Sequence, residues 1–153
     1  MYLTAQGQKS GLIPGEERDG TIECIYYEHI IRAPRDPSAN AASSNLRHES
    51  VLLRKLVDST SPLFAQAFSI NEMFESVVFQ FVPTNFTAGT PPAIFNVRLS
   101  AATIASYRHF FAETPSVRYV GFQLLEEIAF FYQKIEWGFN DRFTAAIVWP
   151  AGP

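Results

Sequence analysis

One cysteine, Cys24, is too few for an internal disulfide, and a lone thiol suits a chain folded in a reducing cytoplasm. Positive charge is also short: 12 Lys and Arg against 15 Asp and Glu leave a formal −3. That balance provides no basic footprint for nucleic acid and no attraction to an anionic membrane. Long apolar runs are missing too, so membrane insertion is not expected. The opening Met1-Tyr2-Leu3-Thr4-Ala5-Gln6-Gly7-Gln8-Lys9 has no apolar h-region, which argues against an ordinary signal peptide. Export, if it occurs, would take another route.

The motifs of catalysis are equally scarce. Gly7-Gln8-Lys9-Ser10-Gly11 has a phosphate loop's Lys-Ser, but Gln8 stands where the loop needs glycine and no helix follows. Glu126 and Glu127 are adjacent on an expected strand, so they face opposite ways and cannot flank one bond without a bulge. His29, His48 and His109 lack metal-ligand spacing and read as hydrogen-bonded strand residues. The acidic run from Glu16 to Asp19 lacks calcium-loop spacing and reads as a solvated turn. No Gly-x-Ser-x-Gly elbow is present. Cys24 sits among apolar companions as a small buried hydrophobe. Alternating Phe79 and Phe81 could stack bases, but without nearby Lys or Arg a core role is the stronger reading. Catalytic residues, metal and cofactors are therefore not expected. Asn85-Phe86-Thr87 matches a glycosylation sequon only by chance.

Aromatic and apolar residues are abundant. Phe occurs 14 times, and apolar residues make up 47% against 18% charged. This composition predicts a folded, strand-rich chain, with residues 1–153 forming one domain. Strands are expected over 2–9, 21–32, 46–57, Met73–Val82, 122–137 and 143–149. A further strand starts with Phe95, Val97 and Leu99 facing inward and continues past Ala105 and Tyr107 through a bend. The best helix candidate spans about residues 61–70. Ser61 is placed to cap it and Pro62 to begin it. Leu63, Ala67 and Ile70 share one face, with Phe64 and Phe68 beside it, a wide apolar stripe that needs a sheet to bury it. The segment Ala33–Ser44 lacks apolar periodicity and reads as a surface loop or an arm reaching a neighbouring subunit. From Ile128 to Tyr132 both faces of the strand are apolar, which implies a cover on the second face, by the helix or another chain.

Several stretches, in order, resemble the Hcp (haemolysin-coregulated protein) family, which builds the inner tube of the bacterial type VI secretion system. Met1-Tyr2-Leu3 with Gly7 and Ile13-Pro14-Gly15-Glu16 is similar to the family's opening. Arg47-His48, followed by a strand into Val57-Asp58-Ser59-Thr60-Ser61-Pro62-Leu63, resembles its most recognisable stretch. Leu99-Ser100-Ala101-Ala102-Thr103-Ile104 and the run from Leu125-Glu126-Glu127 to Lys134-Ile135-Glu136-Trp137 match its middle and closing strands.

The resemblance implies a mainly β fold, a barrel of two antiparallel sheets with one short flanking α-helix. It implies a non-catalytic subunit that forms homohexamer rings, which stack into a hollow tube inside a contractile sheath. Sheath, spike and baseplate proteins and secreted effectors would be partners. Assembly would occur in the bacterial cytoplasm, followed by expulsion outside the cell or into a target cell. On this view Pro34, Arg35, Asp36 and Pro37 belong to a ring-stacking loop. Ile128, Phe130, Phe131 and Tyr132 would meet the adjacent subunit, and Asn96, Arg98 and Ser100 would face the lumen. A small-ligand-binding β-barrel without catalytic activity is the alternative, and an enzyme built on such a barrel a third reading.

Overall fold

The computed structural model describes residues 1–17, 19–36, 41–42, 46–83, 92–111, 124–140 and 142–148. It is mainly β with one short helix. The first strands are Tyr2–Gly7 (β1), Gly11–Leu12 (β2), Ile22–Glu23 (β3) and Tyr26–Glu28 (β4). Two short ribbons follow. Ile31–Arg32 (β5) pairs with Arg47–His48 (β8), and between them Arg35–Asp36 (β6) pairs with Ala41–Ala42 (β7). Val51–Leu56 (β9), the helix Ser61–Ser69 (α1) and Met73–Phe81 (β10) come next. Phe95–Phe111 (β11), Leu124–Phe131 (β12), Lys134–Phe139 (β13) and Arg142–Val148 (β14) complete the order.

The axis of the molecule is β11, 17 residues long. One edge pairs with β10; the other pairs with β13 over its first half and β12 over its second. The switch is marked by Ala101, a non-glycine residue at φ 48°, and a register shift between Ile104 and Ser106. These are the expected bend. Beyond β12 lie β9 and β4, beyond β13 lies β14, and beyond β10 lie β1 with β2 and β3. The antiparallel sheet curls into two facing layers until Tyr27 on β4 meets Phe79 and Phe81 on β10, ring centroids 5.0 Å apart in both cases. Leu3, Val51, Leu53, Phe79, Leu99, Ile128, Phe130 and Ile135 fill the space between, fully buried. Among the described residues no ladder joins β4 to β3, so the barrel is open along that seam.

The helix differs from expectation by one residue at its start. Thr60 is the N-cap and Ser61 the first helical residue; Asp58 accepts the backbone N–H and hydroxyl of Thr60, while Ser61 Oγ accepts the N–H of Asp58. No side-chain oxygen caps the first turn, where the sequence suggests Ser61; Asp58 instead holds the cap residue itself. At the other end Asn71 adopts φ 49°, and the Glu72 N–H bonds back to the Ala67 carbonyl, a left-handed stop that asparagine tolerates. The apolar stripe is narrower than its composition suggests. Phe64 and Ala67 are buried, whereas Leu63, Phe68 and Ile70 stay well exposed.

The segments expected as single strands over 21–32 and 46–57 are broken. Each bends away from the large sheet, at residues 29–30 and 49–50, to carry the β5–β8 ribbon. The sequon at Asn85 lies outside the described residues.

Candidate assembly surfaces and buried clusters

Alternation along β12 separates the four residues expected at a subunit interface. Ile128 and Phe130 point between the layers with no exposure, and Phe130 packs edge-on to Phe74 at 5.6 Å. They are core residues, a correction that follows from the curl of the sheet: β10 covers them, where the sequence suggests the helix or another chain. Phe131 points the other way and is 61% exposed, while Tyr132 is half-buried at the break before β13.

The residues expected to face a lumen also divide. Asn96 is buried at the register position of Gln80 on β10 and Gly138 on β13, with neither side-chain amide atom hydrogen-bonded among the described residues. It is therefore not a surface residue of the chain. Arg98 and Ser100 remain part-exposed on that face, and the Arg98 guanidinium lies over the Phe143 ring of β14 at 4.0 Å. Of the expected stacking loop, Pro34 is part-buried and Arg35 and Asp36 form β6; Pro37 lies outside the described residues.

Besides Phe131 and the helix residues, further exposed apolar side chains that the sequence reading missed stand at two separate sheet edges. On the β4 side, Ile25, Leu56 and Val57 are 58%, 40% and 38% exposed, in a groove rimmed by Glu16, Glu17, Glu23 and Asp58. On the β13–β14 side, Phe139 and Val148 are 56% and 63% exposed. In sequence these residues continue runs whose other members are core, so alternation alone could not reveal which ends stay uncovered.

Two polar clusters stand out among the described residues, the first buried and the second half-buried. Lys55 and Glu126, directly opposite on β9 and β12, have no side-chain exposure, and Lys55 Nζ lies 2.9 Å from Glu126 Oε1. That approach is off hydrogen-bonding alignment, so the attraction is chiefly coulombic; Nζ also meets Asp58 at 2.7 Å and donates to the Leu56 carbonyl. Burial raises the Asp58 carboxyl, but the bonds from Lys55 and Thr60 outweigh it and hold the group below its ordinary value. Glu126 Oε2 lies 2.6 Å from Tyr107 Oη and 3.5 Å from His109. The phenol's single proton goes to that carboxylate, its shortest and only charged acceptor, and burial with the carboxylate raises the Tyr107 phenol. A signal was present: Lys55 ends the inward series Val51, Leu53, and Glu126 starts the inward series Ile128, Phe130. Glu127 faces the opposite side and pairs with Arg54 and Arg108, so the two glutamates do not converge.

The second cluster joins two of the three histidines. His29 Nε2 is 2.7 Å and His48 Nδ1 2.8 Å from the same Tyr132 hydroxyl. Burial lowers both imidazoles, His29 further through the charge of His48, and pushes the Tyr132 phenol up to about 12. His109 stands apart, on Tyr107.

The turn that imitates a phosphate loop already holds an anion. The amides of Lys9 and Ser10 both point at Glu72 Oε1, at 2.7 and 3.2 Å. Cys24 is buried, and burial pushes its thiol up to about 12. Among the described residues no group of three or more His, Cys, Asp or Glu could hold a metal ion.

A family model described as "Type VI secretion system effector, Hcp" matches residues 2–139. The chain is 27% identical over 149 residues to the major exported protein of Pseudomonas aeruginosa, covering 89% of this chain and 86% of that one. Its fold is similar to a crystal structure of an Hcp protein, with TM-score 0.84, 18% identity, and 99% and 98% of the two chains covered. Hcp1 from E. coli EAEC 042 gives TM-score 0.78 at 22% identity, with 97% of each chain covered, and the secreted protein Hcp3 of P. aeruginosa 0.73 at 21%, with 98% and 97% covered.

Proposed function

The chain belongs to the Hcp family of type VI secretion systems, and from that premise we propose that it is a non-catalytic tube subunit that closes head-to-tail into hexameric rings. Rings stack through the ribbon that begins at β5 and ends at β8, and the tube is assembled inside the cell, expelled on sheath contraction and able to carry effectors. The observation that carries this reading is the pair of exposed apolar edges. A ring needs a heterologous interface, in which two different patches of one chain meet the opposite patches of its neighbours. Ile25, Leu56 and Val57 form the patch on the β4 edge; on the β13–β14 edge Val148 marks the other, with Phe139 at the far end of the hairpin. The two edges are carried by different halves of the long β11 pairing, β4 beyond β12 and β9 and β14 beyond β13.

The face of Arg98 and Ser100 supplies the polar wall a lumen needs, with Arg98 steadied by Phe143. Exposed Phe131 remains available to a neighbour from the original interface set.

Light scattering behind size exclusion, with negative-stain imaging, tests the proposal. Annular particles with the mass of six chains are expected from the native protein, and smaller species from Val148→Lys. A native chain that stays solitary at high concentration would overturn it.

A further inference from the structure

We propose that His29, Tyr132 and His48 form a proton-operated latch that holds the root of the β5–β8 ribbon against the large sheet and releases it in mildly acidic water. The ribbon is hydrogen-bonded apart from the large sheet, and its strands enter and leave at one place. There the Glu49 N–H donates to the Ile30 carbonyl, and His48 is in register with Ile31. One imidazole comes from each side of the ribbon's root, and the third member, Tyr132, sits on the body where β12 gives way to β13.

The chemistry of the three groups makes the contact protonation-dependent. A phenol has one proton to donate and accepts through oxygen, so with both imidazoles neutral one nitrogen takes its proton and the other brings an N–H. A proton added to the accepting nitrogen leaves Tyr132 facing two donors, with its own proton displaced. A second charge then meets the first across rings whose centroids are 6.2 Å apart. Among the described residues the charged neighbours are already engaged. Glu49 borders the adjoining cavity of about 250 Å³ with His48, Phe131 and Tyr132, but Arg32 already holds its carboxylate at 2.6 Å. On β13, Lys134 and Glu136 pair with each other at 2.8 Å, and Trp137 faces His29 with an uncharged ring. On β4, Tyr27 is a phenol kept neutral by burial, and Glu28 accepts from Tyr26. Arg47, the remaining charge on β8, would oppose protonation.

The direction follows from burial. Both imidazoles are lowered in the folded chain, so that form binds fewer protons than an opened one, and closure weakens as pH falls through the ordinary histidine range near 6.5. The latch is a property of the single chain; only its consequence for ring stacking rests on the reading of the ribbon given above.

Hydrogen exchange and the fluorescence of Trp137, whose ring lies 6.3 Å from that of His29, read the latch directly in a full-length Trp149→Phe background. Between pH 8 and pH 5, exchange over residues 31–48, corrected for its intrinsic pH dependence, should quicken roughly tenfold for each unit by which the imidazoles are depressed. Trp137 emission should fall with the same midpoint as the facing imidazole charges. Tyr132→Phe should exchange fast already at pH 8 and lose the transition, as should the His29→Gln/His48→Gln pair, with β10 and β11 protected as before. A flat native profile, or a histidine pair variant that retains the native transition, would overturn the latch; if that variant does not fold, Tyr132→Phe decides. Light scattering at each pH separates the latch from assembly, including self-association near the isoelectric point of about 5.6. A chain that never forms rings yet shows the transition keeps the latch and defeats the tube.

Discussion

Lys55 and Glu126 are the residues whose replacement should be felt most, because each is a charge removed from water whose cost the other offsets. Lys55→Met leaves the Glu126 carboxyl buried without its ammonium partner, and a loss of about 3–5 kcal/mol is expected; Glu126→Leu should cost less, because Asp58 at 2.7 Å still pairs with Lys55. The double replacement leaves no charge stranded between β9 and β12 and should recover most of that loss. Urea unfolding at one fixed protein concentration measures all three, and additive losses would show that the pair is not coupled. Cys24 makes the opposite prediction. With its thiol buried and raised to about 12, it should resist iodoacetamide at pH 8 in the folded chain and react once urea unfolds it. Asn96 carries a buried amide with no hydrogen-bond partner among the described residues, so Asn96→Val should leave stability unchanged or raise it by up to about 1 kcal/mol.

At the scale of elements, β11 depends on a residue in an uncommon conformation. Ala101 at φ 48° lets one strand pair with β13 and then with β12. Ala101→Val should destabilise by about 1–2 kcal/mol, because a β-branched side chain clashes in the left-handed region, whereas Ala101→Gly should be close to neutral in thermal melting. The ribbon has its own prediction: Arg35→Ala/Asp36→Ala should shorten or abolish tubes in negative stain while rings persist, and unchanged tubes would argue against the stacking role. Elements such as these were legible to the extent that their signal is local. The Phe95, Val97, Leu99 alternation, a helix starting within one residue of Pro62 and a bend in the long strand could all be read from neighbouring residues. The meeting of His29 and His48 on Tyr132 could not, since it depends on a pairing 84 residues apart in one case and 103 in the other. The burial of Ile128 and Phe130 was hidden for the same reason: only the curl that brings β10 against β12 shows which chain covers them.

For the whole molecule the decisive matter is whether the two apolar edges meet each other or each meets its own copy. If the β4 patch of one chain docks on the β13–β14 patch of the next, a variant spoiled on either edge loses one half of every contact and cannot associate alone. Ile25→Lys and Val148→Lys should therefore each be monomeric, although both chains remain folded, since the two positions are exposed. Mixed, the pair still holds one intact edge apiece: the β13–β14 patch survives on the first variant and the β4 patch on the second. One contact can form and no more, so the mixture should yield heterodimers and stop there, because the two remaining edges are the spoiled ones. An isologous arrangement predicts something else, since like would pair with like and mixing would create no species absent from the separate samples. Light scattering of the two variants, apart and together, distinguishes these cases. Heterodimers appearing only on mixing support a closed head-to-tail ring; dimers in either sample alone would rule it out.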